Sequence, residues 1–380
     1  MRSKKMEPLP GGDPLLLTPG PLTTSATVKQ AMLHDYGSRD DRFIELNRRV
    51  CAELLSLCDA GETHLCIPLQ GSGSFAVEAM IANQLPRAGK LLNLVNGAYG
   101  SRITEICRYL GREVSVLETA EDLPVDVAGL DKTLAADSGI THVALVYCET
   151  TSGMVNPVAE VAEVVAGRGR SLLIDAMSAF GALPLSASNV PFAALAGSAN
   201  KCLESVPGLG FVIADKASFP ATEGNAHSLS LDLYKQWHYM NETGQWRFTP
   251  PTHCLLALDT ALQELEQEGG IPARLRRYRE NCRVLVNGMR ALGFETLLPD
   301  GLQAPVIVTF LMPENEAFSF TGFYRRLSDL GFVIYPGKLT DRDSFRIGCI
   351  GSFGADEMRA AVAAVKQVLQ AMGIRNLGSE

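Results

Sequence analysis

Between about residue 60 and residue 215 the chain alternates short, continuously apolar runs with stretches of helical periodicity, and nothing else in it restricts the fold so strongly. The runs are HLCIPL, KLLNLVN, THVALVYC, SLLIDAM and GFVIAD, and between them lie FAVEAMIANQL, SRITEICRYLG and AEVAEVVAGRG. A strand that is apolar at every position, not at every second one, has both faces covered, and the intervening helices supply the cover. The expectation is an α/β fold with a mostly parallel central sheet between helices. The C-terminal part opens with two helical stretches, THCLLALDTALQELEQE and IPARLRRYRENCRVLVNGMRALG. Strand-like APVIVTFLM, GFVIYPG and SFRIGCIG follow, and then the helix ADEMRAAVAAVKQVLQAMG, which fits a smaller α+β domain. The expected division is a flexible arm over 1–14, a large domain over 15–265, a small domain over 266–373 and a tail over 374–380. The segment after the arm is free to pack on the small domain. The arginines of RLRRYRENCR read as a solvated helix face.

Composition removes several classes of function. A formal net charge of −8 without a long basic block argues against a nucleic-acid binder, because phosphate binding needs concentrated Lys and Arg. No apolar run reaches the ~18 residues that span a bilayer. The N-terminal MRSKKMEPLPGGDP carries three basic residues without an apolar core behind them, unlike a secretion signal, so the expected location is the cytoplasm. Nine cysteines at irregular spacing without CxxC, and six histidines without an HxxxH pair, favour neither a disulfide framework nor a metal site.

In open α/β sheets ligands gather at the carboxyl ends of the strands, so the residues just after each apolar run carry the most information. QGSGSF at 70–75 follows a strand and opens a helix, where Ser72, Gly73 and Ser74 offer backbone N–H groups and hydroxyls to an anion. Equally, it reads as a glycine-rich tight turn. Asp175 ends SLLID, where a carboxylate is costly to bury unless it meets a cation or several donors; capping the next segment is the plainer role. Lys201 lies in AGSANKCLESVPGLGFVIA among small residues. A desolvated lysine has a lowered pKa and can condense with an aldehyde, whereas a snorkelling strand-end lysine is the ordinary reading. Taken together, an anion seat, a strand-end Asp and a Lys 26 residues further on are what pyridoxal 5'-phosphate requires. The seat takes the phosphate, the carboxylate keeps the pyridine nitrogen protonated, and the lysine takes the aldehyde.

With these residues in place, the chain resembles the class V, fold-type I aminotransferases over roughly residues 15–372. The resemblance is carried by LLLTPGPLTTS, QGSGSFAVEAM, LVNGAYGSR, YCETTSGMVNPV, LLIDAMSAFGALP, GSANKCLESVPGLGFVIA, WRFTPPTH, GFVIYPGK and SFRIGCIG. It implies Lys201 as the Schiff-base lysine, Asp175 as partner of the pyridinium nitrogen, and Ser72, Gly73 and Ser74 as phosphate holders assisted by Asn200. It further implies Tyr99 stacked on the cofactor ring and Thr150 bonded to the ring hydroxyl. Thr249 would reach the cofactor of a neighbouring subunit in a homodimer, and Arg346 would hold the anionic group of the substrate. Among its branches, the one acting on 2-aminoethylphosphonate and pyruvate resembles the SANKC and GFVIYPGK…FRIG segments most. Because the anion of that donor sits one carbon further from the amine than a carboxylate does, either Arg346 serves both by adjustment or a second cation helps, with Arg39, Lys338 and Arg342 as candidates. The alternative is an alanine–glyoxylate or serine–pyruvate type aminotransferase. Asn200, Tyr99 and GSRD near residue 37 stand where that branch favours Gln, Trp and GHRS. A dinucleotide-dependent oxidoreductase lacks its GxGxxG here, and a non-catalytic binding protein would have no need of both Asp175 and Lys201.

Overall fold

Seven strands form the main sheet, in the order His64–Gln70, Leu209–Asp215, Ala194–Ser198, Ser171–Asp175, Ile140–Val146, Lys90–Val95 and Glu113–Glu118. Neighbours run parallel except around Leu209–Asp215, which is antiparallel to the strand on either side. The structure, a computed structural model, describes residues 12–335, 340–375 and 377.

Alternate residues of each central strand enter two different cores. Leu92, Val143, Leu145, Leu172 and Ile174 face the helices Asp41–Ser56, Val127–Ala136, Val158–Gly167 and Thr252–Glu268. Leu91, Ala144, Val146 and Leu173 face Gly73–Gln84, Ala98–Tyr109 and Leu233–Thr243. Burying each large side chain is worth ~1.5–3 kcal/mol, which makes the register of these strands hard to slip.

Two strands of the sheet were not expected from the sequence. Glu113–Glu118 (EVSVLE) is an edge strand and is half-exposed, so it lacks an apolar run. Ala194–Ser198 (ALAGS) is fully buried yet built of small residues with little β preference. Small residues are needed there because the ring of Phe211, on the adjacent strand, occupies the space a side chain at Gly197 would take.

A third core holds the C-terminal part together. Phe294, Phe310, Phe323 and Phe345 cluster at its centre, with ring centroids 5.6–6.3 Å apart. Leu15–Leu17 pairs in parallel with Phe332–Ile334, and Leu15 and Leu17 are buried in this core, as is Ile374. The helix Gly270–Ala291 bridges the cores: Leu275 and Tyr278 belong to the large part, Leu285 and Met289 to the C-terminal one.

That bridging corrects the reading of RLRRYRENCR as a solvated face. Arg276 and Arg279 are exposed, but Arg274 is buried and Arg277 largely covered. Arg274 donates to Glu268 (2.6 Å) and to the Cys202 carbonyl (2.7 Å). Arg277 donates to Glu268 (2.8 Å), Glu204 (2.8 Å) and the Phe353 carbonyl (2.9 Å), and Glu204 also accepts from the Tyr278 hydroxyl. Charged side chains fill this interior because every one has a partner. All nine cysteines are free thiols. Among the described residues no helix is long and apolar enough to cross a membrane.

Candidate active site

A cavity of about 330 Å³ opens at the carboxyl ends of the central strands. Its walls include Ser72, Gly73 and Ser74, just past the strand His64–Gln70, and Tyr99, past Lys90–Val95. Asp175 is the last residue of its strand, and Asn200 and Lys201 follow Ala194–Ser198. Parallel strands thus bring together seven of the residues singled out from the sequence.

Ser72 is the N-cap of the helix Gly73–Gln84, and no backbone N–H of the helix takes its hydroxyl. The helix therefore presents the positive end of its dipole to the cavity, beside a serine hydroxyl that does not cap it. Gly73 lies close to Met177, another residue of the wall: a Cβ there would be 2.3 Å from its sulfur, so the Met177 side chain would have to move to admit one.

Asp175 is buried, and Oδ1 accepts the Met177 N–H (2.9 Å), so the expected turn-capping role and the strand-end position coexist. Burial pushes its carboxyl up to about 6, with the nearby Glu149 adding to the push; the Met177 N–H, Arg102 and Lys201 oppose it. The Lys201 ammonium donates to the carbonyls of Pro19 (2.7 Å) and Gly20 (3.3 Å). Its burial brings the amine down to about 8 despite the neighbouring Asp175. Gly20, at φ +111°, lies so close that a Cβ would sit 2.5 Å from the Asn200 carbonyl oxygen and 2.6 Å from Lys201 Cδ. The TPGP segment is thus a lid strip over the lysine, tied down by the strand Leu15–Leu17. Asn200 accepts from the Ser198 hydroxyl (2.6 Å), which fixes its amide.

Three other singled-out residues do not line the cavity. Arg346 is buried; it donates to the Thr150 carbonyl (2.9 Å) and lies 4.7 Å from the ring centroid of Tyr335, itself a wall residue. Its Nε is buried without a hydrogen-bond partner among the described residues. Thr150 is buried beside it, and Thr249 is exposed on a loop of this chain. Of the candidate second cations, Arg39 and Arg342 are exposed and not part of the wall, and Lys338 lies outside the described residues.

Two charged residues of the site escaped the sequence reading. Arg102 lines the cavity, donating to Ser74 Oγ (3.2 Å) with its guanidinium 4.8 Å from the Tyr99 ring centroid. Its signal was the i, i+3 spacing from Tyr99 on a helix. Glu149 is fully buried and accepts from the N–H groups of Gly100 (3.0 Å) and Thr151 (3.1 Å) and from the Thr151 hydroxyl (2.6 Å). A carboxylate at the start of the helix Ala98–Tyr109 complements its dipole and anchors the turn that carries Tyr99. Its signal was a carboxylate in the otherwise apolar VALVYCE.

Comparison with known proteins agrees with this geometry. The chain belongs to the class-V aminotransferase family, whose pattern matches residues 23–321. It is 54% identical over 364 residues to a 2-aminoethylphosphonate–pyruvate transaminase of Pseudomonas putida, covering 96% of this chain and 99% of that one. A transaminase of the same description from Pseudomonas aeruginosa is 52% identical over 361 residues, covering 95% and 97%. Pyridoxamine–pyruvate aminotransferase from Mesorhizobium loti shares the fold, with a TM-score of 0.85 at 22% identity, covering 95% of this chain and 93% of that chain.

Proposed function

We propose that this chain is a pyridoxal 5'-phosphate-dependent transaminase that moves the amino group of 2-aminoethylphosphonate to pyruvate, giving phosphonoacetaldehyde and L-alanine. The carrying observation is a single cavity holding a helix N-terminus with serine hydroxyls, a buried carboxylate and a lysine whose amine burial brings down to about 8. These groups fit a flat ring bearing a phosphate at one end and an aldehyde at the other. The naming of the near-full-length relatives supports the choice of substrates.

In this reading Ser72, Gly73 and Ser74, with the N–H groups of their helix and help from Asn200, hold the phosphate. Asp175, ionised above about pH 6, holds a proton on the ring nitrogen. Tyr99 covers one face of the ring, and Glu149 keeps the turn carrying Tyr99 in place. Thr150 reaches the ring hydroxyl, and Thr249 comes from a second copy of the chain in a homodimer. When bound, the cofactor supplies an electron sink that lets the amine-bearing carbon lose its proton. Lys201, which burial makes a usable base near pH 8, takes that proton and returns it. Arg346 binds the phosphonate of the donor and the carboxylate of pyruvate in turn, the planar guanidinium being suited to both anions. Residues 15–265 make up the large domain, except that its first strand, Leu15–Leu17, packs in the core of the small domain, 266–373, and Tyr335 brings the small domain to the cavity wall. The enzyme works in the cytoplasm.

The test is a comparison of kcat/KM across amine donors at fixed pyruvate, and across acceptors at fixed donor. The expected order places 2-aminoethylphosphonate far above L-serine and taurine, and pyruvate above glyoxylate. A preference for a carboxylate-bearing donor with glyoxylate would move the chain to the alanine–glyoxylate branch.

A further inference from the structure

We propose that Arg102 supplies the fixed positive charge of the phosphate seat, gripping the cofactor's phosphate jointly with Ser74. The inference rests on the cofactor reading above and adds a residue to it.

A phosphate monoester carries about −1.5 to −2 charges near neutral pH. The helix N-terminus of Gly73–Gln84 offers roughly half a positive charge and the serine hydroxyls offer none. Among the described residues the cavity wall holds two cations, Lys201 and Arg102. Lys201 is engaged by the Pro19 and Gly20 carbonyls and is reserved for the aldehyde. Arg102 is therefore the charge left for the phosphate.

Its geometry suits that task. The side chain starts on the helix Ala98–Tyr109 and reaches across to the first turn of Gly73–Gln84, where it donates to Ser74 Oγ at 3.2 Å. Because Ser74 Oγ accepts from the guanidinium, its own hydroxyl proton is free to donate to an anion. The guanidinium has five N–H donors, so further ones remain for phosphate oxygens in the paired geometry that Arg favours. Stacking on Tyr99, with 4.8 Å to the ring centroid, limits the rotamers the side chain can take. One residue thereby links the phosphate seat to the ring that covers the cofactor.

The test titrates cofactor-free protein with pyridoxal 5'-phosphate and, separately, with pyridoxal, which lacks the phosphate, following the absorbance of the bound ligand. Wild type is compared with Arg102→Gln and Arg102→Lys. Arg102 is exposed, so both variants should fold, and circular dichroism checks this. The expected result is a loss of about tenfold or more in affinity for the phosphorylated ligand in Arg102→Gln. Arg102→Lys should lose less, and pyridoxal affinity should stay within about twofold for all three proteins. Equal losses for both ligands would overturn the proposal, because the arginine would then act through Tyr99 alone. So would unchanged cofactor affinity with a raised KM for 2-aminoethylphosphonate, which would assign Arg102 to the phosphonate. Failure of wild type to bind either ligand is a separate result: it would remove the cofactor reading itself, and the proposal with it.

Discussion

Asp175 is held in the protein at a cost, and replacing it by Asn should make the cofactor-free protein more stable while destroying its activity. Asn keeps the side-chain volume and an acceptor for the Met177 N–H that Oδ1 now takes at 2.9 Å. What it removes is the buried charge, which burial penalises enough to lift the carboxyl from 3.8 to about 6. A raised carboxylate pKa means the unfolded chain releases its proton more readily than the folded one. The resulting cost is absent below the unfolded value, grows as pH rises between the two values, and is constant above the folded one. At about 1.4 kcal/mol per unit, the full cost at pH 8 is about 3 kcal/mol, falling to about half of that at pH 5. Urea unfolding of cofactor-free wild type and Asp175→Asn, at fixed protein concentration between pH 5 and pH 8, measures the difference directly. The variant should be the more stable, with an advantage growing by roughly 1–2 kcal/mol across that range. The ordering should reverse once cofactor is added, since only the carboxylate can hold a protonated ring nitrogen. A variant no more stable than wild type at pH 8, or an advantage independent of pH, would refute the reasoning.

Three further outcomes follow from the same geometry. Covalent capture of pyridoxal 5'-phosphate, trapped with borohydride and read by mass, should accelerate with pH and level off above about 8, because only the neutral amine of Lys201 attacks; Lys201→Ala should capture none at that site. Gly20→Ala should slow this capture by an order of magnitude or more with little change in fold by circular dichroism, since the added Cβ would lie 2.6 Å from Lys201 Cδ at a φ of +111° that alanine resists. Thr249→Ala should leave a dimer by light scattering yet weaken cofactor binding severalfold, as loss of one hydrogen bond contributed from a second copy requires; unchanged affinity would take Thr249 out of the site.

The fold was legible where burial is two-sided. The runs HLCIPL, THVALVYC and SLLID became central strands because a strand covered on both faces must be apolar throughout, and a sequence records that plainly. ALAGS did not read as a strand, since its residues were selected by the Phe211 ring packed against Gly197, a constraint visible only across strands. The arginines of RLRRYR misled for a related reason: their partners Glu204 and Glu268 lie 70 and 6 residues from Arg274, and the more distant one cannot be paired by inspection. Within the site, Ser72 could be picked out because it follows an apolar run, Asp175 because it ends one, and Lys201 because it lies among small residues ahead of another. Arg102 and Glu149 could not, because each takes its meaning from a neighbour on another element: Ser74 for one, the turn at Tyr99 and Gly100 for the other. Thr150 and Arg346 were singled out separately and turn out to be in contact, at 2.9 Å, through a carbonyl that spacing could not have connected.

The visible spectrum of the cofactor-loaded protein, followed through two additions, bears most directly on the proposed reaction. Addition of 2-aminoethylphosphonate alone should bleach the band of the bound cofactor, and pyruvate added next should restore it while one equivalent of L-alanine per site appears. Taurine, which offers a sulfonate in place of the phosphonate, should leave the band in place. Bleaching by L-alanine or L-serine together with indifference to 2-aminoethylphosphonate would contradict the substrate assignment, and a band that none of these amines alters would contradict transamination at this cavity.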